Sequence, residues 1–175
     1  MVLILVLAVA ASADVPPRSC PPSVDVPRDW PRPSARLEAE VLGVINRHRG
    51  QGVQCRATGT RRPPVRPLKS SDALRRAARG HSTYMAEHRA FDHTVAGCEF
   101  STWINDAGYR WHSIGENIAL RRGTRAMTAE EVVEQWLASR EGHCEALMDP
   151  KWRSAGVGYA HEGNRHLYTI DFGDR

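Results

Sequence analysis

The chain has 175 residues, of which 41% are apolar and 25% charged, and it carries a formal net charge of +4 with a pI near 9.1. That length suits one domain with its own core, and the composition excludes a disordered or fibrous protein. The mild basic excess forms no dominant block, so it bears on solubility and encounter and not on fold.

Residues Met1 to Ala13 are a short apolar run ending in Ala11-Ser12-Ala13. The run is too short to span a bilayer as a helix, so the protein is not expected to be transmembrane. It reads as a secretory signal peptide over 1–13 with a small-residue cleavage site. No Lys or Arg precedes it, so either the positive region is minimal or the natural start lies upstream. A soluble exported protein, extracellular or periplasmic, is the expectation. Residues 14–33 follow as a Pro-rich, extended lead-in containing Pro16-Pro17 and Pro21-Pro22. The domain proper is expected over 34–175.

Ser34 can cap a first helix, with Leu37, Val41, Val44, Ile45 and His48 at helical spacing and an end near Gly50. Gly50 to Pro67 reads as a loop. Ser70, Ser71 or Asp72 caps a second helix whose apolar face is Leu74, Ala77, Ala78, His81 and Met85. Phe91 to Gly97 is a connection, and Phe100 to Ala107 a helical turn stopped by Gly108. Gly115 to Leu120 reads as a strand. Thr128-Ala129-Glu130-Glu131 is a capping box, followed by core-facing Val132, Val133, Trp136 and Leu137. Ser154 to Ala160 and His166 to Phe172 are two strands joined by a five-residue loop. Helices first and a terminal antiparallel hairpin argue for α+β.

Cys20, Cys55, Cys98 and Cys144 form an even set with no metal-ligand spacing, and export permits disulfides. Four cysteines allow three pairings, and sequence alone does not choose among them. Arg61-Arg62, Arg75-Arg76-Arg79 and Arg121-Arg122-Arg125 are dispersed and lack interleaved aromatics, so they read as solvated faces and no nucleic-acid partner is expected. No G-x-S-x-G elbow surrounds Ser82 or Ser139, and no H-E-x-x-H occurs.

Several runs, taken in order, carry a resemblance. Ile45-Asn46-Arg47-His48-Arg49 fits an N-x-x-R helix end. Leu74 to Ala86 fits L-x-x-A-A-x-x-H-S-x-x-M-A. Phe91-Asp92-His93, Ala107-Gly108-Tyr109, Gly115-Glu116-Asn117-Ile118-Ala119, Trp136 to Ser139, Gly142-His143-Cys144, Gly156 to Ala160 and Asp171-Phe172-Gly173 follow. Together they resemble the CAP superfamily (cysteine-rich secretory protein, antigen 5 and pathogenesis-related 1), in its bacterial SCP-domain branch. The sequence departs from the family pattern at Arg140-Glu141 and over Cys144 to Met148.

The resemblance implies a three-layer α-β-α sandwich around an antiparallel sheet, with Cys55 bonded to Cys144 and Cys20 left for Cys98. It implies a central cleft lined by His93, Glu116 and His143, in which His93 and His143 can bind zinc. Neutral imidazoles suit a divalent ion, and a carboxylate can orient an imidazole. With two histidines such a site is open and weak, so no cofactor is required and zinc is optional. A fourth cleft residue is sought among Glu130, Glu131, Glu134 and Glu141. A purely structural triad is the competing reading. His81 reads as a satisfied core histidine, and Asn117 as a residue that holds backbone through its amide. The expected function is a non-enzymatic, monomeric binding protein for a small apolar or lipid ligand or an envelope partner. The alternatives are a metal-assisted hydrolase with Glu116 as base, or an extracellular scaffold.

Overall fold

The computed structural model describes residues 26–27 and 29–175. The expected signal peptide over 1–13, most of the lead-in and Cys20 lie outside them.

Helix α1 (Arg32–Gln51) starts two residues before the expected Ser34 cap. Pro31 and Pro33 explain this: in a first turn the missing proline N–H would have had no helical acceptor anyway. Trp30 belongs to the folded unit, donating from Nε1 to Glu38 Oε1 at 2.9 Å while the Arg79 guanidinium lies 4.7 Å from its ring centre. The N-x-x-R end of α1 acts as two anchors. Asn46 exchanges two hydrogen bonds with the backbone of Leu68. Arg49 is fully buried and donates to the carbonyls of Arg66, Leu147 and Asp149, and burial lowers its pKa to about 10.

The expected loop after α1 contains the short strands β1 (Val53–Gln54), β2 (Arg61–Arg62) and β3 (Lys69–Ser70). Helix α2 (Asp72–Glu87) is capped by the Ser71 hydroxyl, which accepts from Leu74 N. The connection at 91–97 is built around a hairpin of β4 (Thr94–Val95) and β5 (Cys98–Glu99), turned by Ala96 and Gly97 at φ 52° and 77°. Helix α3 (Phe100–Asp106) and strand β6 (Ser113–Arg122) follow. The capping box on α4 (Ala129–Leu137) is present in both directions. A short helix α5 (His143–Leu147), not foreseen in the sequence, precedes β7 (Ser154–Glu162) and β8 (Arg165–Asp174).

The last hairpin is tighter than expected. His161 pairs with His166 and Glu162 with Arg165, which leaves Gly163-Asn164 as a two-residue turn. His166 is a strand residue as expected, 6% exposed, with its ring nitrogens on the Tyr159 hydroxyl and the Gly123 carbonyl.

The main sheet has the order β3-β7-β8-β6. Its three long strands are antiparallel, and β3 adds two parallel residues at one edge. Alternation sorts the side chains into two layers. Ala119, Ala155, Val157, Tyr159, Tyr168, Ile170 and Phe172 pack with α1, α4 and α5. Ile118 and Leu167 face α2 and α3, with Leu74, Met85, Trp103 and Ile104. The result is the α-β-α sandwich. Gly156 and Gly158 let α2 lie directly on β7: a Cβ at either would stand 2.0–2.2 Å from α2 backbone atoms.

Candidate functional site

Strand β6 is an edge strand, and Gly115-Glu116-Asn117-Ile118 builds the site from it. Gly115 admits Trp152, whose ring would stand 2.8 Å from a Cβ there. Glu116 and Asn117 are adjacent, so they point to opposite faces. Glu116 reaches the α2 side and Asn117 the α5 side. The carbonyl of Ile118 accepts from Trp136 Nε1 at 2.9 Å, tying α4 to the same edge.

Glu116 has a 1% exposed side chain and uses both carboxylate oxygens. Oε2 meets His81 Nδ1 at 2.5 Å and Oε1 meets His93 Nδ1 at 2.7 Å. A carboxylate accepts, so each Nδ1 carries a proton and each neutral ring leaves Nε2 as its lone-pair nitrogen. His81 is fully buried and stacks on Trp103, with ring centres 5.5 Å apart. His93 is half-exposed, and its carbonyl accepts from Phe100 N at 2.9 Å, which fixes the β4–β5 hairpin beneath it. The hydrogen bond to Glu116 raises the His93 pKa, burial opposes it, and the Glu116 and Asp92 charges add to the rise.

His143 approaches from the other layer. Gly142, at φ 78°, turns the chain into α5. Asn117 Nδ2 donates to the His143 carbonyl at 3.0 Å, and the neighbouring Cys144 is bonded to Cys55. The ring centres of His143 and His93 are 6.2 Å apart, edge to face. Burial lowers the His143 pKa, with the nearby His93 adding to the fall. His143 is thus biased towards the neutral, ligand-competent form.

The structure therefore brings His93, Glu116 and His143 together, with His81 and Asn117 as their supports. Cys98 lies in β5, and its expected partner Cys20 is outside the described residues. The four glutamates considered for a fourth position are engaged elsewhere or stand outside. Glu130 pairs with Arg47, Glu134 with Arg56, and Glu131 with Thr128 and Arg125. Glu141 is exposed and reaches His143 through its charge. Ser82 is buried and hydrogen-bonded to Gly158 O and Thr169 Oγ1, so it faces the sheet.

One residue at the site escaped sequence reasoning. Asp171 pairs across the sheet with Glu116, is 1% exposed, and has no hydrogen-bond partner for either oxygen among the described residues. Burial, then the Glu116 charge, raises its pKa well above the usual carboxylate value. An acidic residue between Ile170 and Phe172, in a strand otherwise free of charge from Leu167 to Phe172, is the available signal.

Chemically, two imidazole rings from opposite layers lie beside the edge strand with their centres 6.2 Å apart. No group of three or more His, Cys, Asp or Glu side chains among the described residues is arranged to hold a metal ion. The donors fit an open site completed by water or a ligand, and they do not fit a closed structural zinc site. Each Glu116 oxygen accepts from one imidazole, so the carboxylate orients both His81 and His93.

A three-layer α-β-α sandwich is the fold class, and the comparisons agree with it. The cysteine-rich secretory protein (CAP) family model matches residues 42–172, and the chain belongs to that family. It is 34% identical over 110 residues to the uncharacterized protein YkwD of Bacillus subtilis, a match covering 62% of this chain and 40% of that protein. The chain thus spans about two fifths of that relative's length. An extracellular SCP-domain protein of Bacillus anthracis superposes with a TM-score of 0.61 at 20% identity, covering 83% of this chain and 44% of the other. An outer surface protein of Borrelia burgdorferi gives 0.55 at 21% identity, covering 78% and 93%. NaASP2, solved with Zn2+, gives 0.56 at 13% identity, covering 80% of each chain. At these identities the structural likeness is one of fold.

Proposed function

We propose that this protein is an exported binding domain whose cleft, between His93 and His143, takes a divalent cation such as zinc at an open site and engages a small apolar or lipid ligand or an envelope partner there. The carrying observation is the 2.7 Å contact of His93 Nδ1 with Glu116, which leaves Nε2 as the lone-pair nitrogen of a ring whose centre is 6.2 Å from that of His143. His93 and His143 would hold the ion. Its chemistry there would be to present open coordination positions to a ligand. Glu116 orients His93, and Asn117 fixes the backbone of His143.

Export is supported by the Cys55–Cys144 disulfide, which is at home in an oxidising compartment, and by the apolar run at 1–13. No helix among the described residues is long and apolar enough to cross a membrane.

Calorimetric zinc titration of the protein, beside His93→Ala and His143→Ala variants of verified fold, tests the reading. Binding should weaken by roughly tenfold or more in each variant, as loss of one of two ligands requires. It should also strengthen as pH rises through the elevated His93 pKa, because the metal competes with a proton. Zinc binding that is absent, or unchanged in both variants, would leave the histidines as structural groups.

A further inference from the structure

The last residue of β6, Arg122, and the first of β8, Arg165, stand directly opposite each other in the sheet. By alternation both lie on the face that carries α2, as Ile118 and Leu167 do. Arg165 is 3% exposed and donates from Nη2 to the Ala90 carbonyl, just past the end of α2, at 2.7 Å. That contact sets it beside Arg89, the residue before Ala90. Arg89 has φ 55°, the left-handed conformation one position after the His88 cap, where glycine is the usual choice. An arginine there carries a conformational cost that glycine would not.

The charges gathered here have no counterion in the fold. None of Arg89, Arg122 and Arg165 forms an ion pair with a carboxylate among the described residues. Glu162 on β7 is the other cross-strand neighbour of Arg165, and it makes no ion pair with it. Arg165 Nε is buried and has no hydrogen-bond partner among the described residues. Burial, then the charges of Arg122 and Arg89, lower the Arg165 pKa. Like charges directly opposite on neighbouring strands repel, and a buried cation is ordinarily paired. A cluster that violates both rules is stable only to the extent that an anion offsets it.

We infer that Arg89, Arg122 and Arg165 form a binding site for an oxyanion of the phosphate or sulfate class. Each guanidinium is a planar fork of N–H donors that matches two oxygens of such a group. Three forks exceed what the two oxygens of a carboxylate accept, whereas a tetrahedral oxyanion presents oxygens in several directions. Arg165 is the fixed member, held on the Ala90 carbonyl, and the exposed Arg89 and Arg122 flank it. The group can come from a soluble phosphate ester or from an anionic lipid headgroup.

The test is a 1H–15N titration of the protein with sodium phosphate against sodium chloride at constant ionic strength, read at the Arg side-chain Nε–H signals. The Arg165 signal should shift along a saturable curve with phosphate and stay put with chloride. Affinity should fall about tenfold or more in Arg89→Gln/Arg122→Gln, the scale of losing charge-assisted hydrogen bonds. Both replaced side chains are exposed, and in chloride the double variant should melt no lower than the native protein, because like charges have been removed. Co-sedimentation with phosphatidylglycerol vesicles distinguishes the sources. Vesicle binding lost in the double variant assigns the lipid headgroup, and phosphate binding without vesicle binding assigns a soluble ester. A non-saturating shift, phosphate affinity that the double variant retains in full, or a lower melting temperature of that variant in chloride would overturn the inference. His93 and His143 are unaltered in the variant, so the zinc titration is independent of the outcome.

Discussion

Replacing Glu116 by Gln removes one charge at nearly constant volume from a side chain that two imidazoles share. The carboxylate accepts from His81 and His93, and its side chain is 1% exposed. Glutamine offers one acceptor oxygen, and its NH2 group confronts the other imidazole. Because His81 is fully buried and His93 is half-exposed, the oxygen should stay with His81, and His93 should turn to water. A hydrogen bond to a charged group contributes about 1.5–3 kcal/mol, and an unsatisfied buried donor costs about 1–3 kcal/mol. Losing one such bond and weakening the other gives a destabilisation of about 2–4 kcal/mol, measurable by urea denaturation. Glu116 also holds the His93 pKa up, so the variant should lower it, read from the imidazole resonances in a pH titration. The linked stability has a definite sign. A histidine whose folded pKa is raised contributes below its unfolded value of 6.5 and loses that contribution as pH rises through the folded value. The gap between the native protein and the variant should therefore be widest in mild acid and narrow towards alkaline pH. An unchanged His93 pKa in Glu116→Gln would refute the reasoning.

Three further outcomes are expected. Cys55→Ser/Cys144→Ser opens a loop spanning 89 residues, and the chain-entropy model gives a loss of about 4–5 kcal/mol in chemical denaturation, with His143 displaced alongside. An unchanged midpoint would contradict it. Gly158→Ala should cost more than about 3 kcal/mol, since its Cβ would stand 2.2 Å from the Ala78 carbonyl carbon and α2 must lift from β7; a near-native melting temperature would show that α2 yields freely. Asp171→Asn should stabilise the protein above neutral pH and have little effect in acid. The folded pKa of Asp171 is raised, so the native protein loses stability as pH rises above the unfolded value. Equal effects at both pH extremes would exclude that origin.

Much of this was legible in the sequence because it rests on local chemistry. The α4 capping box and the apolar face of α2 follow from spacing along one helix. His93, Glu116, His143 and the Cys55–Cys144 bond came through the resemblance, since residues so far apart meet only in the tertiary fold. What stayed hidden has the same cause. His81 could be read as a core histidine, but its partner lies 35 residues away on β6. Asp171 becomes notable only when register sets it opposite Glu116. Strand β3 is two residues long and exists through its pairing with β7, so no periodicity could announce it. The final hairpin reads as a five-residue loop from His161 to Arg165 in the sequence, whereas cross-strand pairing carries β7 on to Glu162 and starts β8 at Arg165.

The most direct measurement is the tautomeric state of His93 and His143, read from long-range 1H–15N spectra of the imidazoles with and without zinc. Glu116 should hold the neutral His93 ring with its proton on Nδ1, and zinc should perturb Nε2 of His93 together with the ring nitrogens of His143. A neutral His93 protonated on Nε2, or spectra indifferent to zinc, would contradict the account of Glu116 as the group that aims His93 into the cleft.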